Sequence, residues 1–216
     1  MKKFRMIMIY VLIIIFLLAL WIVIDLPYPY KTDIKKFGYS DVARLDGAMW
    51  RSYYEKKKLK PFFQSSELMR KQFGVPFWRS QVMAYHAAKA AFIFKDGQNR
   101  VDYDKALPDL VKYYSEIRNI SKESFDVESA AQLELEWWVI RRYRNEHPPA
   151  EWERCLALNA ATVYHLAPDK FVTYAHLRVE AMLLRDAKEN AITETDWQQI
   201  HSLLNQAWKS LSDNLH

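Results

Sequence analysis

A run of nineteen uncharged residues, Met6 to Ile24, constrains this chain more than any other feature. It is dominated by Ile, Leu and Val and carries Trp21 near its end. At about 1.5 Å per residue a helix of that length spans ~29 Å, close to the hydrocarbon thickness of a bilayer. Lys2, Lys3 and Arg5 precede it, as cations precede a secretory signal, but signal cores are shorter and end in small residues that suit cleavage. This run ends Leu-Trp-Ile-Val-Ile-Asp-Leu-Pro, with no such site. The expectation is an uncleaved, single-pass transmembrane anchor over residues 1–24.

Pro27 and Pro29 favour an extended path after the run, and Tyr28 and Tyr30 suit a headgroup layer, so residues 25–39 read as a short, stiff stalk. Lys and Arg are balanced on the two sides of the span, but the leading ones abut it while the following ones begin only at Lys31. That tilts the expectation towards a cytoplasmic N-terminus and an extracytoplasmic domain, periplasmic in a bacterium.

Residues 40–216 read as helix after helix, with no alternating strand pattern. Four glycines are too few for the turns of a sandwich or barrel, or for a Gly-rich phosphate loop. One cysteine excludes an internal disulfide framework and a Cys-rich zinc site. Caps, prolines and Gly74 divide the stretch into seven or eight helices: to about Lys58, Pro61–Phe73, Pro76–Lys95, Tyr103–Asn119 with Pro108 as a kink or first turn, Asp126–Arg144, Pro149–Leu166, Pro168–Lys188 and Thr195–Leu211. The expected fold is therefore all-α: one transmembrane helix, then a multi-helix bundle over 40–216 as a single domain. No fixed-period repeat supports a solenoid.

The net charge of +5 gathers around the apolar run, in Lys2, Lys3, Arg5, Lys31, Lys35 and Lys36. The folded part is then nearly neutral, which argues against a nucleic-acid partner. Local catalytic signatures such as G-x-x-x-x-G-K, G-x-S-x-G, H-E-x-x-H and C-x-x-C are absent from the sequence.

What remains is a set of ionisable residues on apolar helix faces: Asp46, His86, Glu134, and His176 with Glu180 one turn later. Charges there are costly unless paired or metal-bound. Carboxylates and imidazoles converging inside a bundle suit Fe, Mn or Zn. The spacing resembles that of ferritin-like di-iron carboxylate bundles, on four helices and without their motif: Met83 and Thr173 stand where E-x-x-H requires Glu, and Asp46 replaces a Glu. The competing reading is structural, with His86 satisfied in the core, Glu134 paired to Arg141 or Arg142, and Glu180 or Asp186 paired to Lys89 or Arg178.

Three surface readings complete the set. Lys56, Lys57, Lys58 and Lys60 can meet anionic headgroups. Trp137 and Trp138 with Arg141, Arg142 and Arg144 can stack on and grip a ligand. Trp50, Tyr53 and Tyr54 can line a cleft or a partner groove. The function expected from all this is an interaction module at a membrane surface, with the bilayer and another membrane or extracytoplasmic protein as partners; the alternative is a metal-binding bundle with redox or hydrolytic activity.

Overall fold

The computed structural model describes residues 2–215; Met1, His216 and the side chain of Lys2, one of the three leading cations, lie outside the described residues. Helix α1 (Lys2–Asp25) opens the chain. Its Lys3–Asp25 stretch has a mean hydropathy of 3.3, and none of its most apolar part is buried against the protein. It is long and apolar enough to cross a membrane.

The remainder is all-α, as expected, with no strand among the described residues. The helices are α2 (Tyr39–Tyr54), α3 (Lys60–Phe73), α4 (Phe77–Asp96), α5 (Arg100–Asp104), α6 (Leu107–Ile120), α7 (Val127–Arg142), α8 (Pro149–Tyr164), α9 (Val172–Lys188) and α10 (Glu194–Asn214). Their ends follow from local chemistry. Pro sits in the first turn of α3, α6 and α8, where the missing N–H would have been unpaired anyway. Gly74, at φ 68°, ends α3 in the left-handed region. Thr193 and Asp196 form a capping box at the start of α10. The helix expected over Tyr103–Asn119 is two: α5 stops at Asp104, and Pro108 sets the first turn of α6 rather than a kink.

The eight long helices close into a ring. Each packs on the next, α4 meets α6 across the one-turn α5, and α10 returns to α2. Among the described residues, no pair of helices across the ring packs extensively backbone to backbone. Neighbouring axes in such packing stand about 8–10 Å apart, so a ring of this size has a middle that only long side chains can reach. Side chains do bridge it: Arg141 of α7 donates to the Tyr54 hydroxyl of α2 at 2.7 Å, and Gln72 of α3 donates to the Tyr164 hydroxyl of α8 at 3.0 Å.

Short connections make neighbours antiparallel. The ring therefore has two distinct ends. The end where α1 joins is sealed by buried Ile34, Phe73, Val75, Ile120, Phe125, Phe171 and Leu215. At the opposite end Tyr54, Phe62, Phe94, Trp138, Arg141 and Arg185 are only half-buried.

The segment expected as a short, stiff stalk lies along the sealed end. Ile34 is 3% exposed, Thr32 bridges to Ser121, Lys31 donates to the Ser121 carbonyl at 2.9 Å, and Lys35 pairs with Glu123 at 2.7 Å.

The closing seam between α2 and α10 depends on Gly47. A methyl group there would run into the His201 ring. Gly47→Ala should therefore destabilise the fold by about 1–3 kcal/mol, the usual range for overpacking, although alanine is the better helix former. Thermal melting checks this, and adding His201→Ala should recover most of the loss.

Candidate functional site

The inner face of the ring carries a connected set of polar groups. At its centre is Glu134, near the middle of α7. Its Oε2 accepts from the Tyr114 hydroxyl of α6 at 2.9 Å, and its Oε1 accepts from the indole N–H of Trp138, one turn on, at 3.1 Å. Asn159 of α8 donates from Nδ2 to the Tyr114 oxygen at 3.0 Å and to the Ala130 carbonyl at 2.9 Å. Tyr114 thus passes its single proton to Glu134 while accepting from Asn159.

A second group joins α2, α9 and α10. Asp46, 2% exposed, accepts from the Arg178 guanidinium and, at 2.8 Å, from the indole N–H of Trp208. The guanidinium stands 5.5–5.6 Å from the centroids of Trp50, Tyr174 and Trp208, a cation held among three aromatic faces. Its Nε is buried without a partner. Towards the half-buried end, Arg141 grips Asp186 through two hydrogen bonds, at 2.7 and 3.0 Å, and the Arg185 guanidinium lies 3.8 Å from the Tyr54 ring centroid.

Burial works against ionisation of the acidic groups here. Burial raises the Glu134 carboxyl above the usual Glu range, against the hydrogen bonds that it accepts, and burial likewise raises the Tyr113, Tyr114, Tyr164 and Tyr174 hydroxyls. Yet Trp50, Tyr113, Glu134, Asn159 and Arg178 are half-buried, not buried.

A carboxyl with a raised folded pKa contributes stability that is complete below its unfolded pKa, about 4.3, and is lost as pH rises through the folded value. Glu134→Gln keeps a carbonyl acceptor for the Trp138 indole, turns an amide N–H towards the Tyr114 oxygen, which can accept, and removes this loss. The variant should melt above the parent at pH 8 and level with it at pH 4; equal melting at both would mean that the carboxyl carries no strain.

The five residues expected to share a metal do not gather. Among the described residues no three His, Cys, Asp or Glu side chains converge on a point that could hold an ion. Asp46 is taken by Arg178, and Glu134 by Tyr114 and Trp138. His86 hydrogen-bonds Asp109 at 2.8 Å, and Lys89 reaches the same carboxylate at 3.0 Å. His176 and Glu180 are 52% and 47% exposed on the outside of the ring. Glu153 and Glu180 stand at opposite nitrogens of the His176 ring, so they cannot share one ion through it. The reason is geometric. A helix in a ring buries two flanks against neighbours as well as its inner face, and the apolar stripe of α9 (Ala175, Val179, Met182) marks buried packing, with His176 beyond its edge. Nor does Glu134 pair with Arg141 or Arg142, since Arg141 holds Asp186 and Arg142 holds the Gly97 and Lys95 carbonyls.

Lys56, Lys57, Lys58 and Lys60 are exposed where α2 meets α3, at the end of the ring away from α1. Trp50 and Tyr54 do belong to the interior, whereas Tyr53 is exposed. The sequence reading overlooked Tyr114, Asn159, Tyr174 and Trp208, and met Arg178 only as a partner for other charges. The one signal for Asn159 was a lone amide in the Ala-rich stretch of α8.

Outside the ring, a groove of about 450 Å³ between α8 and the start of α9 is lined by Ala157, Leu158, Pro168 and Val172, and it shares nothing with the interior network. Cys155 is buried, its thiol pushed up to about 12 by burial, and it donates to the Leu133 carbonyl. The chain matches no protein-family model, no curated protein and no solved structure.

Proposed function

We propose that this protein is a single-pass, membrane-anchored binding module whose ring interior takes a small, neutral, hydroxyl-rich ligand such as a sugar. The anchor is α1, and the N-terminus lies on the cytoplasmic side with the ring outside. One observation carries the reading: a carboxyl and a guanidinium, Glu134 and Arg178, both belong to the inner polar network of the ring without forming an ion pair with each other. Glu134 has hydrogen-bonding capacity to spare, in the lone pairs that its two donors leave unused. Arg178 disfavours a cationic ligand, and Glu134 disfavours an anionic one. Donors and acceptors set among the faces of Trp50, Tyr113 and Trp138 match a ligand with hydroxyl edges and apolar C–H faces.

The test is titration of the full chain, in phosphatidylcholine nanodiscs, with maltose, cellobiose, lactose and sucrose, followed by tryptophan emission. At least one disaccharide should give a saturable change, and Glu134→Gln should weaken it by roughly tenfold, the worth of one hydrogen bond to a charged group. Because that variant is expected to be the more stable protein at neutral pH, lost binding cannot be ascribed to misfolding. Silence from all four sugars, or a response to spermidine or inorganic phosphate instead, would overturn the assignment.

A further inference from the structure

The junction between α1 and the ring is a clasp. Asp25, the last residue of α1, accepts from the backbone N–H of Trp78 at 2.7 Å and of Arg79 at 3.4 Å. It thereby caps the start of α4, whose own preceding residue, Pro76, has no side chain able to do so. The negative charge also sits at the positive end of the α4 dipole. Arg79 answers in the other direction. Its Nε donates to the Leu26 carbonyl at 2.8 Å and its Nη2 to the Tyr28 carbonyl at 3.0 Å, filling acceptors just past the end of α1. Arg79 is itself only 8% exposed. One turn back, Trp21 stacks on Phe77 with centroids 5.3 Å apart and meets Trp78 edge-on at 5.4 Å. A capping carboxylate, two charge-assisted bonds and an aromatic stack leave α1 no freedom to swivel against the ring.

From this we propose that the sealed end of the ring is a lipid-facing surface, seated at fixed tilt on the phospholipid bilayer that holds α1. The inference rests on the reading of α1 as a membrane anchor. The apolar run ends at Ile24, so Asp25 lies at the depth where hydrocarbon gives way to headgroups. Everything clasped to Asp25 shares that depth: Phe77, Trp78, and Tyr28 and Tyr30, which are 58% and 38% exposed. Aromatic rings with polar tips are the side chains that settle there. The charges at this end are mixed, with Lys35 on Glu123, Lys36 on Asp33, Arg70 on Glu67 and Lys71 near Asp41. The seat therefore needs no anionic lipid. The opposite end stands off by the length of α2, about 24 Å for its 16 residues, which is several Debye lengths at physiological salt. Lys56, Lys57, Lys58 and Lys60 are then out of reach of the headgroups, and the half-buried end of the ring faces away from the bilayer.

The experiment places one spin label at Tyr28→Cys or at Lys57→Cys in the full chain, reconstituted into pure phosphatidylcholine vesicles. Native Cys155 is buried and its thiol is pushed up to about 12, so it gives no background. Collision with oxygen and with a water-soluble nickel chelate reports depth. The label at position 28 should read as interfacial and the label at 57 as fully aqueous, in 0.1 M and in 1 M salt alike. Adding Arg79→Ala should broaden the depth distribution at position 57 while far-UV circular dichroism stays unchanged. Should the label at 57 contact lipid, or its depth spread be as broad in the parent as in Arg79→Ala, the seat is wrong. Loss of the whole protein from vesicles in an alkaline wash would instead overturn the anchor itself.

Discussion

Asp46→Ala should be the most damaging single substitution in the ring, costing about 3–5 kcal/mol, as removal of one partner from a buried ion pair usually does. Asp46 and Arg178 retain only 3% and 12% side-chain exposure. Removing the carboxylate strands a guanidinium whose Nε already lacks a partner, and it also strands the indole N–H of Trp208. The pair ties α9 and α10 to α2, so the damage falls on the seam that closes the ring. Urea denaturation should show a lower midpoint with an unchanged slope. The double variant Asp46→Leu with Arg178→Met should recover much of the loss, because a packed apolar pair carries no stranded charge. If Asp46→Ala alone cost less than about 1 kcal/mol, the pair would be one more exposed-type salt bridge and the ring would close without it.

Arg141→Ala ranks second, at about 2–4 kcal/mol, by the same mechanism in a less buried place. The guanidinium is 22% exposed and holds a 16% exposed Asp186 from two nitrogens, while one of these also reaches Tyr54 across the ring. Burial alone would make this guanidinium easier to deprotonate, but its bonds to Asp186 outweigh that and hold it charged. Lysine should not rescue the site, since a single ammonium cannot reproduce the planar fork that engages a carboxylate and a hydroxyl together. The comparison to make is parent, Arg141→Lys and Arg141→Ala in one denaturation series. Near-parental stability in the lysine variant would show that charge alone, without geometry, is what matters there.

The all-α class, the apolar span and most helix ends were legible because they are written locally, in period, prolines and caps. Pro61, Gly74 and Pro149 each act on their own turn of chain, whereas the cap of the last helix is Thr193 and not Thr195 as expected. What the sequence could not convey was closure. A stripe on α9 says that one face is buried, but not whether the cover is a neighbour or the middle of a ring, so His176 was aimed inwards and stands outside. The clasp was illegible for a related reason. Asp25 and Arg79 are far apart in sequence, and each taken singly looks like an ordinary charge near a membrane or a helix start. Glu134 was found as an inward carboxyl, but its partners, two hydroxyl or indole donors on separate turns and helices, leave no spacing to read.

A ring has consequences for how such a chain is made. Seven of its eight long helices can emerge from the ribosome and pair with their predecessors, but the last contact, α10 against α2, joins the final stretch of chain to its beginning. Until then the inner flanks of α2 and α9 stay open, with Trp50 and Tyr174 uncovered at an edge that invites another copy. Closure over so long a sequence separation slows the last step of folding. Tethering α1 in the translocon during synthesis would hold the waiting partner in place. A chain cut short before Glu194 would accordingly remain an open crescent, and it should be found in aggregates or degraded, whatever its remaining helices achieve on their own.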